Sequence, residues 1–149
     1  MKNHQDVAIL LLRFGTAANF LSAVASRLGF WGAQSSGWTG FLAYVAEVNS
    51  FAPAKMVPFL AIASTILEAG FAVLLLVGYK TRFAALGSAC LTFLFAIAMT
   101  YSFGLKSPLD YGVFVDCTSA FLLATMPRYR WSLEENIFHN NLTEKGYER

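Results

Sequence analysis

The chain carries little charge. Asp, Glu, Lys and Arg make up 13% of its 149 residues, against roughly 25% in soluble globular domains. Such a chain cannot cover a water-facing surface, and 56% of its residues are hydrophobic. Its net charge of +2 is too small for the concentrated basic surface of a nucleic-acid-binding protein. We therefore expect a lipid bilayer, and no nucleic acid, as the main partner.

The chain also lacks the patterns of metal and cofactor chemistry. Cys90 and Cys117 form no CxxC pair, which argues against a thiol–disulfide relay and a cysteine metal site. His4 and His139 lie outside the apolar runs, so paired membrane histidines for haem are excluded. Walker, dinucleotide-binding and nucleophile-elbow motifs are missing as well. The sequence thus predicts no metal site and no evident cofactor. It leaves enzymatic activity undecided and favours a non-catalytic role.

Four long apolar runs dominate the sequence, at about residues 7–28, 56–79, 82–105 and 108–127. A bilayer core takes about 20 apolar residues per helical crossing, and helices satisfy their own backbone hydrogen bonds there. We therefore predict an all-α fold, a four-transmembrane-helix bundle over residues 1–127. A cleaved signal peptide is the alternative for the first run, but Arg13 interrupts its apolar core.

Two further segments have helical patterns. In the loop 29–55, apolar residues at helical spacing predict an amphipathic helix on the membrane surface or folded back over the bundle; they are Trp38, Phe41, Leu42, Val45 and Val48. The polar tail 128–149 contains Ser132 and Glu135 in a capping-box pattern, which predicts a short helix from Leu133.

The distribution of basic residues predicts the orientation. One side of the predicted bundle has five Lys and Arg residues near the crossings and the other has three. Because basic loops stay in the cytoplasm, we expect both termini and the tail there, and the loop 29–55 outside. The five are Lys2, Lys80, Arg82, Arg128 and Arg130, and the three are Arg27, Lys55 and Lys106.

Three charged residues lie inside the apolar runs, away from their ends: Arg13, Glu68 and Asp116. A charge at the bilayer centre costs on the order of 3 kcal/mol, so these side chains should face the bundle interior and find partners. Depths estimated at about 1.5 Å per residue predict that Arg13 pairs with Glu68, with Asp116 as an additional partner. Thr65, one turn from Glu68, should join this network. The network either only fixes helix register or forms a site that binds a ligand or moves a proton.

Several segments resemble the DoxX family of small four-helix bacterial membrane proteins, over about residues 7–126. The most specific are residues 78–86 (GYKTRFAAL) and 106–111 (KSPLDY). Arg13 in the first run and Glu68 in the second also match, as do Arg82, Asp110 and Tyr111 within these segments. Asp116 departs from the family pattern.

The resemblance implies a location in the bacterial inner membrane and a link to redox systems, since some relatives belong to such systems. Quinone is the one cofactor that it suggests, and a membrane oxidoreductase or a second copy of the chain is the partner. The resulting hypothesis is an accessory component of a redox or small-molecule process, with a polar intramembrane site at Arg13 and Glu68. The alternatives are a transporter or channel subunit for a small solute or proton, and a structural assembly subunit without its own activity.

Overall fold

The computed structural model describes residues 2–135, and their side chains from His4 onward. Throughout this part the regular structure is helical, which confirms the all-α prediction. The α-helices are α1 (Lys2–Arg27), α2 (Gly37–Val48), α3 (Val57–Val77), α4 (Thr81–Phe103), α5 (Lys106–Asp110) and α6 (Val113–Thr125), and two short 3₁₀ turns occur at Gly32–Gln34 and Ala54–Met56.

Three of the helices, α1, α3 and α4, are long and apolar enough to cross a membrane. They correspond to the first three predicted crossings. The fourth apolar run differs from the prediction, because α6 has only 13 residues and a length of about 20 Å. A hydrocarbon core of about 30 Å is too thick for α6 alone.

The fourth run is interrupted at Gly112, between α5 and α6. Gly112 has φ +68, a left-handed conformation that glycine adopts without the strain that a Cβ atom would bring. Its N–H donates to the Leu109 carbonyl, which ends α5, and its own carbonyl accepts the N–H groups of Val115 and Asp116 at the start of α6. The expected continuous helix over 108–127 is therefore two helices with a change of direction between them.

The long helices pack through small residues. The buried face of α4 is formed mainly by Ala84, Ala85, Ser88, Ala89 and Ala96, which lets α3 and α6 approach closely. Gly87 has the same role towards α3, since a Cβ atom placed there would lie 2.3 Å from the Phe71 ring. Helix α1 packs mainly on α3, and α6 packs mainly on α4.

Helix α2 confirms the helical pattern expected in the loop 29–55. It folds back over one end of the bundle, with Phe41, Val45 and Val48 buried. Phe41 and Val45 pack in one cluster with α3, while Val48 packs against α4 residues and its carbonyl accepts a 2.6 Å hydrogen bond from Ser102 Oγ. The end of the bundle that α2 covers is called the α2 end below.

The opposite end of the bundle is covered by residues 129–135. Ser132 Oγ accepts the Glu135 N–H at 3.2 Å, and the chain is helical from Leu133 to Glu135, as the capping box predicted. The Glu134 N–H donates to the Gly78 carbonyl at 3.2 Å. The segment is thereby held on the turn between α3 and α4. The rest of the predicted tail helix lies outside the described residues.

Candidate intramembrane binding site

A buried ion pair joins Arg27, the last residue of α1, to Glu68 in α3. Arg27 Nη2 lies 2.9 Å from Glu68 Oε1 and 2.9 Å from Oε2. Arg27 Nη1 donates to Thr65 Oγ1 at 3.0 Å, and Thr65 in turn donates to the Ala61 carbonyl. The guanidinium also lies over the Phe41 ring of α2, 3.8 Å from its centroid. Three helices therefore meet at one cation.

The pair is almost completely shielded, with Arg27 7% and Glu68 2% exposed. Two charges removed from water need close mutual contact and further hydrogen bonds to balance the loss of solvation. Glu68 has these in Arg27, but Arg27 Nε has no partner among the described residues although it is buried. The solvation that this N–H group loses on burial is therefore not replaced by a hydrogen bond to residues 2–135.

The predicted contact between Arg13 and Glu68 is wrong. Arg13 is 2% exposed, but its Nη2 donates to the Trp131 carbonyl at 3.0 Å, at the end of the bundle opposite α2. Fourteen residues separate Arg13 from Arg27 in α1, which is about 21 Å along the helix. The depth estimate failed because it considered only charges well inside the apolar runs and left out Arg27, at the end of the first run.

A sequence signal for Arg27 does exist. Fourteen residues are close to four helical turns of 3.6 residues each, so Arg27 lies on the same face of α1 as Arg13. The buried residues Ala17, Phe20 and Val24 follow this face between them. Extending the helical period to the end of α1 would have identified Arg27 as a second inward-facing cation.

Asp116 forms an ion pair with neither arginine, and the additional contact with Arg13 is also wrong. Its Oδ1 accepts a 3.0 Å hydrogen bond from Asn19 Nδ2. Insertion of an ionised carboxylate into a bilayer costs about 3 kcal/mol. A carboxylate in the first turn of a helix is stabilised by the helix dipole by about 0.3–1 kcal/mol, and a hydrogen bond from a neutral group contributes about 1 kcal/mol. The contacts that the structure shows for Asp116 therefore leave part of this cost unbalanced.

The depth of Asp116 follows from two contacts. Asn19, its partner, is in the central part of α1, and the next residue, Cys117, donates through Sγ to the carbonyl of Ala89 in the central part of α4 at 3.4 Å. Asp116 thus lies level with the central parts of α1 and α4, partly buried, even though it is in the first turn of α6. The break at Gly112 permits this, because it lets α6 start within the bundle.

Glu68, Arg27 and Asp116 border one cavity of about 240 Å³ beneath α2. The other lining residues come from α1, α2, α4 and α6, with Asn49 just beyond α2; they are Asn19, Phe20, Ala23, Phe41, Tyr44, Val45, Val48, Asn49, Thr92, Phe95, Met99 and Val113. Asn19 is exposed as well as lining the cavity, which places an opening between α1 and α6. The phenol of Tyr44 is neutral at pH 7 and can donate a hydrogen bond, and burial raises its pKa further.

The remaining predicted site residues lie elsewhere. Arg82 Nη2 donates to the Met126 carbonyl at 3.3 Å. Asp110 forms an exposed ion pair with Lys106, and Tyr111 is 74% exposed. The structure therefore does not bring these three residues to the cavity. Glu68 and Asp116 do line the cavity, and Thr65 contacts the Arg27–Glu68 pair through Arg27.

The chemistry of the cavity is that of a small-molecule site. Aromatic and aliphatic side chains form most of its wall, and a few polar groups converge on it, as is common in ligand pockets. Within residues 2–135, no group of three or more His, Cys, Asp and Glu side chains is placed to hold a metal ion. The fold is that of a helical membrane protein, and the cavity is its candidate binding site.

Comparison with known families agrees with that class. The family model of methylamine utilisation protein MauE matches residues 5–110, more than two thirds of the chain, and the chain belongs to this family of membrane proteins. The match includes Arg13, Arg27 and Glu68 and ends before Asp116. No curated protein and no solved structure matches the chain.

Proposed function

We propose that this MauE-family protein is an accessory component of a small-molecule or redox process in the bacterial inner membrane, and that its cavity binds a ligand of that process. The observation that carries the proposal is the buried Arg27–Glu68 pair at the wall of an open cavity. The family description names methylamine utilisation, which is a process of the small-molecule kind. The resemblance to the DoxX family adds a redox setting, a quinone as a candidate ligand, and a membrane oxidoreductase or a second copy as the partner.

The geometry favours a binding role over a purely structural one. A buried ion pair that only fixes helix register can often be replaced by apolar residues with little loss of stability, and protein interiors are otherwise closely packed. Here the pair lines a cavity. A ligand that enters this cavity would contact an apolar wall and the few polar side chains that converge on it.

The experiment fills the cavity without changing its charges. Ala23 lines the cavity, and Ala18 on the same helix is exposed. In a strain of the native host that lacks the gene, an Ala23→Phe variant should fail to restore the lost phenotype, with growth on methylamine tested first. An Ala18→Phe variant, present in the membrane in equal amount, should restore it. Full restoration by Ala23→Phe would refute a ligand-binding role and favour the structural assembly subunit.

One observation favours a second candidate, a transporter or channel subunit. The fourth run is a broken helix whose second part begins within the bundle, an arrangement that transporters use at substrate sites. Proteoliposomes containing the protein should then carry a flux of a small solute or proton that disappears in Glu68→Gln. Absence of flux under imposed solute and proton gradients would exclude this candidate and leave the accessory role.

A further inference from the structure

The charges around the cavity do not balance. Glu68 neutralises Arg27 directly, at 2.9 Å. Asp116 accepts a hydrogen bond only from the neutral amide of Asn19, and the described part of the chain places no Lys, Arg or His nitrogen within 4.0 Å of its carboxylate. The ionised cavity therefore has one negative charge in excess, on the partly buried carboxylate of Asp116. This excess disfavours an anionic ligand and attracts a cationic one.

The wall is suited to an organic cation. Phe20, Phe41, Tyr44 and Phe95 line the cavity, and aromatic faces attract cations, most strongly where water is excluded. One such contact already exists in the structure, because the Arg27 guanidinium lies 3.8 Å from the centroid of the Phe41 ring.

A hard metal ion fits the same wall poorly. Ca²⁺ takes six to eight oxygen ligands and Mg²⁺ takes six in an octahedron. Asp116 is the one lining carboxylate that is not already paired with Arg27, and within residues 2–135 no group of three or more His, Cys, Asp and Glu side chains is placed to hold a metal ion. An ammonium ion needs fewer acceptors, and its carbon substituents can pack against the apolar wall.

We propose that the cavity binds a small organic ammonium ion, with its nitrogen against the Asp116 carboxylate and its substituents against the aromatic wall. The proposal rests on the proposed function, since it names the ligand class of the same cavity. The opening between α1 and α6, where Asn19 is exposed, is the route to Asp116. The cavity of about 240 Å³ lies below the usual range of about 300–1,000 Å³ for drug-sized ligands, which limits the ion to a few carbon atoms.

The test is equilibrium binding of radiolabelled methylammonium to the purified full chain in detergent micelles. We expect saturable binding that tetramethylammonium displaces and the neutral molecule tert-butanol does not. Asp116→Asn keeps the shape of the side chain and removes the charge, and should weaken binding by about tenfold or more, because charges in direct contact interact strongly away from water. Asp116→Glu should retain part of the affinity.

Asp110→Asn is the matched control, because Asp110 is an exposed carboxylate paired with Lys106, and it should bind as the unmodified protein does. Circular dichroism and gel filtration establish that each variant is folded. Absence of saturable binding, equal binding by Asp116→Asn, or equal displacement by tert-butanol would each overturn the proposal. If Asp116→Asn also supports the host phenotype while Ala23→Phe does not, the cavity binds a ligand of another class and the proposed function stands.

Discussion

Arg27 Nη2 lies 2.9 Å from both carboxylate oxygens of Glu68, so the last residue of α1 is bound to the middle of α3. The contact is reinforced by Thr65 on α3 and by the Phe41 ring on α2. The position of α2 over the cavity, and the height of α1 relative to α3, therefore both depend on one guanidinium group.

Removal of one partner of this pair should destabilise the protein strongly. Arg27→Gln or Glu68→Gln leaves a buried charge without its partner, and such changes cost about 3–5 kcal/mol. Replacement of both, as Arg27→Met with Glu68→Leu, should cost much less, because it leaves no buried charge. Unfolding in mixed detergent measures each effect. Lys106→Gln breaks an exposed pair and should change the free energy of unfolding by less than about 1 kcal/mol. If Lys106→Gln destabilised the protein as much as Arg27→Gln, burial would not be what makes the Arg27–Glu68 pair important.

Gly78→Ala should release residues 129–135 from the end of the bundle. A Cβ atom at Gly78 would lie 2.7 Å from Ser132 Cβ and 2.9 Å from Arg13 Nη1, and φ is +72. Both the strain and the collision oppose the contact between Glu134 N–H and the Gly78 carbonyl. Hydrogen exchange at Glu134 should become faster.

Gly104→Ala is the control for Gly78→Ala. Gly104 also has a positive φ, +82, but its Cβ would meet nothing within 4 Å. This variant should be destabilised only by its backbone conformation (φ 82, ψ 165), a region essentially restricted to glycine that costs about 1–3 kcal/mol, and exchange at Glu134 should be unchanged. Equal exchange in both variants would show that strain alone, rather than the contact with Ser132, accounts for the effect.

Two glycines in neighbouring helices should respond to alanine with opposite signs. A Cβ at Gly87 would lie 2.3 Å from the Phe71 ring, so Gly87→Ala should destabilise the α3–α4 contact by about 1–3 kcal/mol through overpacking. Gly70 in α3 has nothing within 4 Å of such an atom, and Gly70→Ala should stabilise the helix by about 0.5–1 kcal/mol. Unfolding measurements on the two variants give the sign of each change in the free energy of unfolding. In a double-mutant cycle, Gly87→Ala should cost less in a Phe71→Ala background than in the unmodified protein, and an equal cost in both would exclude the ring as the cause.

A disulfide should form between α4 and the residue two positions beyond α2. The Oγ atoms of Ser50 and Ser102 are 2.9 Å apart, which brings two cysteine sulfurs within reach of a bond. In a background with Cys90 and Cys117 changed to Ala, Ser50→Cys with Ser102→Cys should oxidise readily, while either single variant should remain a free thiol. Maleimide labelling followed by gel electrophoresis reports the result. If both cysteines of the double variant remained fully labelled by maleimide, the segment that follows α2 would not lie beside Ser102.

The predicted orientation has a direct test. With both termini in the cytoplasm, a cysteine at Ser36, beside α2, should react with a membrane-impermeant maleimide added to whole cells. A cysteine at Lys80, in the turn between α3 and α4, should react only after the cells are opened. The cysteine-free background again provides the control. The reverse pattern of labelling would show that the protein has the opposite orientation, with both termini outside the cytoplasm.

The sequence alone determined the helices, the membrane as their solvent and the inward orientation of the charges. Hydrocarbon cannot hydrogen-bond to backbone or ionised groups, so a long apolar run can only be a helix and a charge within it must face other protein groups. Helical spacing likewise identified α2, and the capping box identified the helix start at Leu133. All of these signals are local to one segment of the chain.

The tertiary structure decided which charges meet. Helical periodicity assigns a residue to a face of its own helix, but it does not determine how far one helix is displaced along another. That displacement depends on the loops and on the packing of α2 against α3, and it brings Arg27 rather than Arg13 to Glu68. The left-handed conformation at Gly112 is similarly decided by packing, and it carries Asp116 to the central part of α1. The candidate cavity depends on both features: the displacement of α1 along α3 and the break in the fourth run at Gly112.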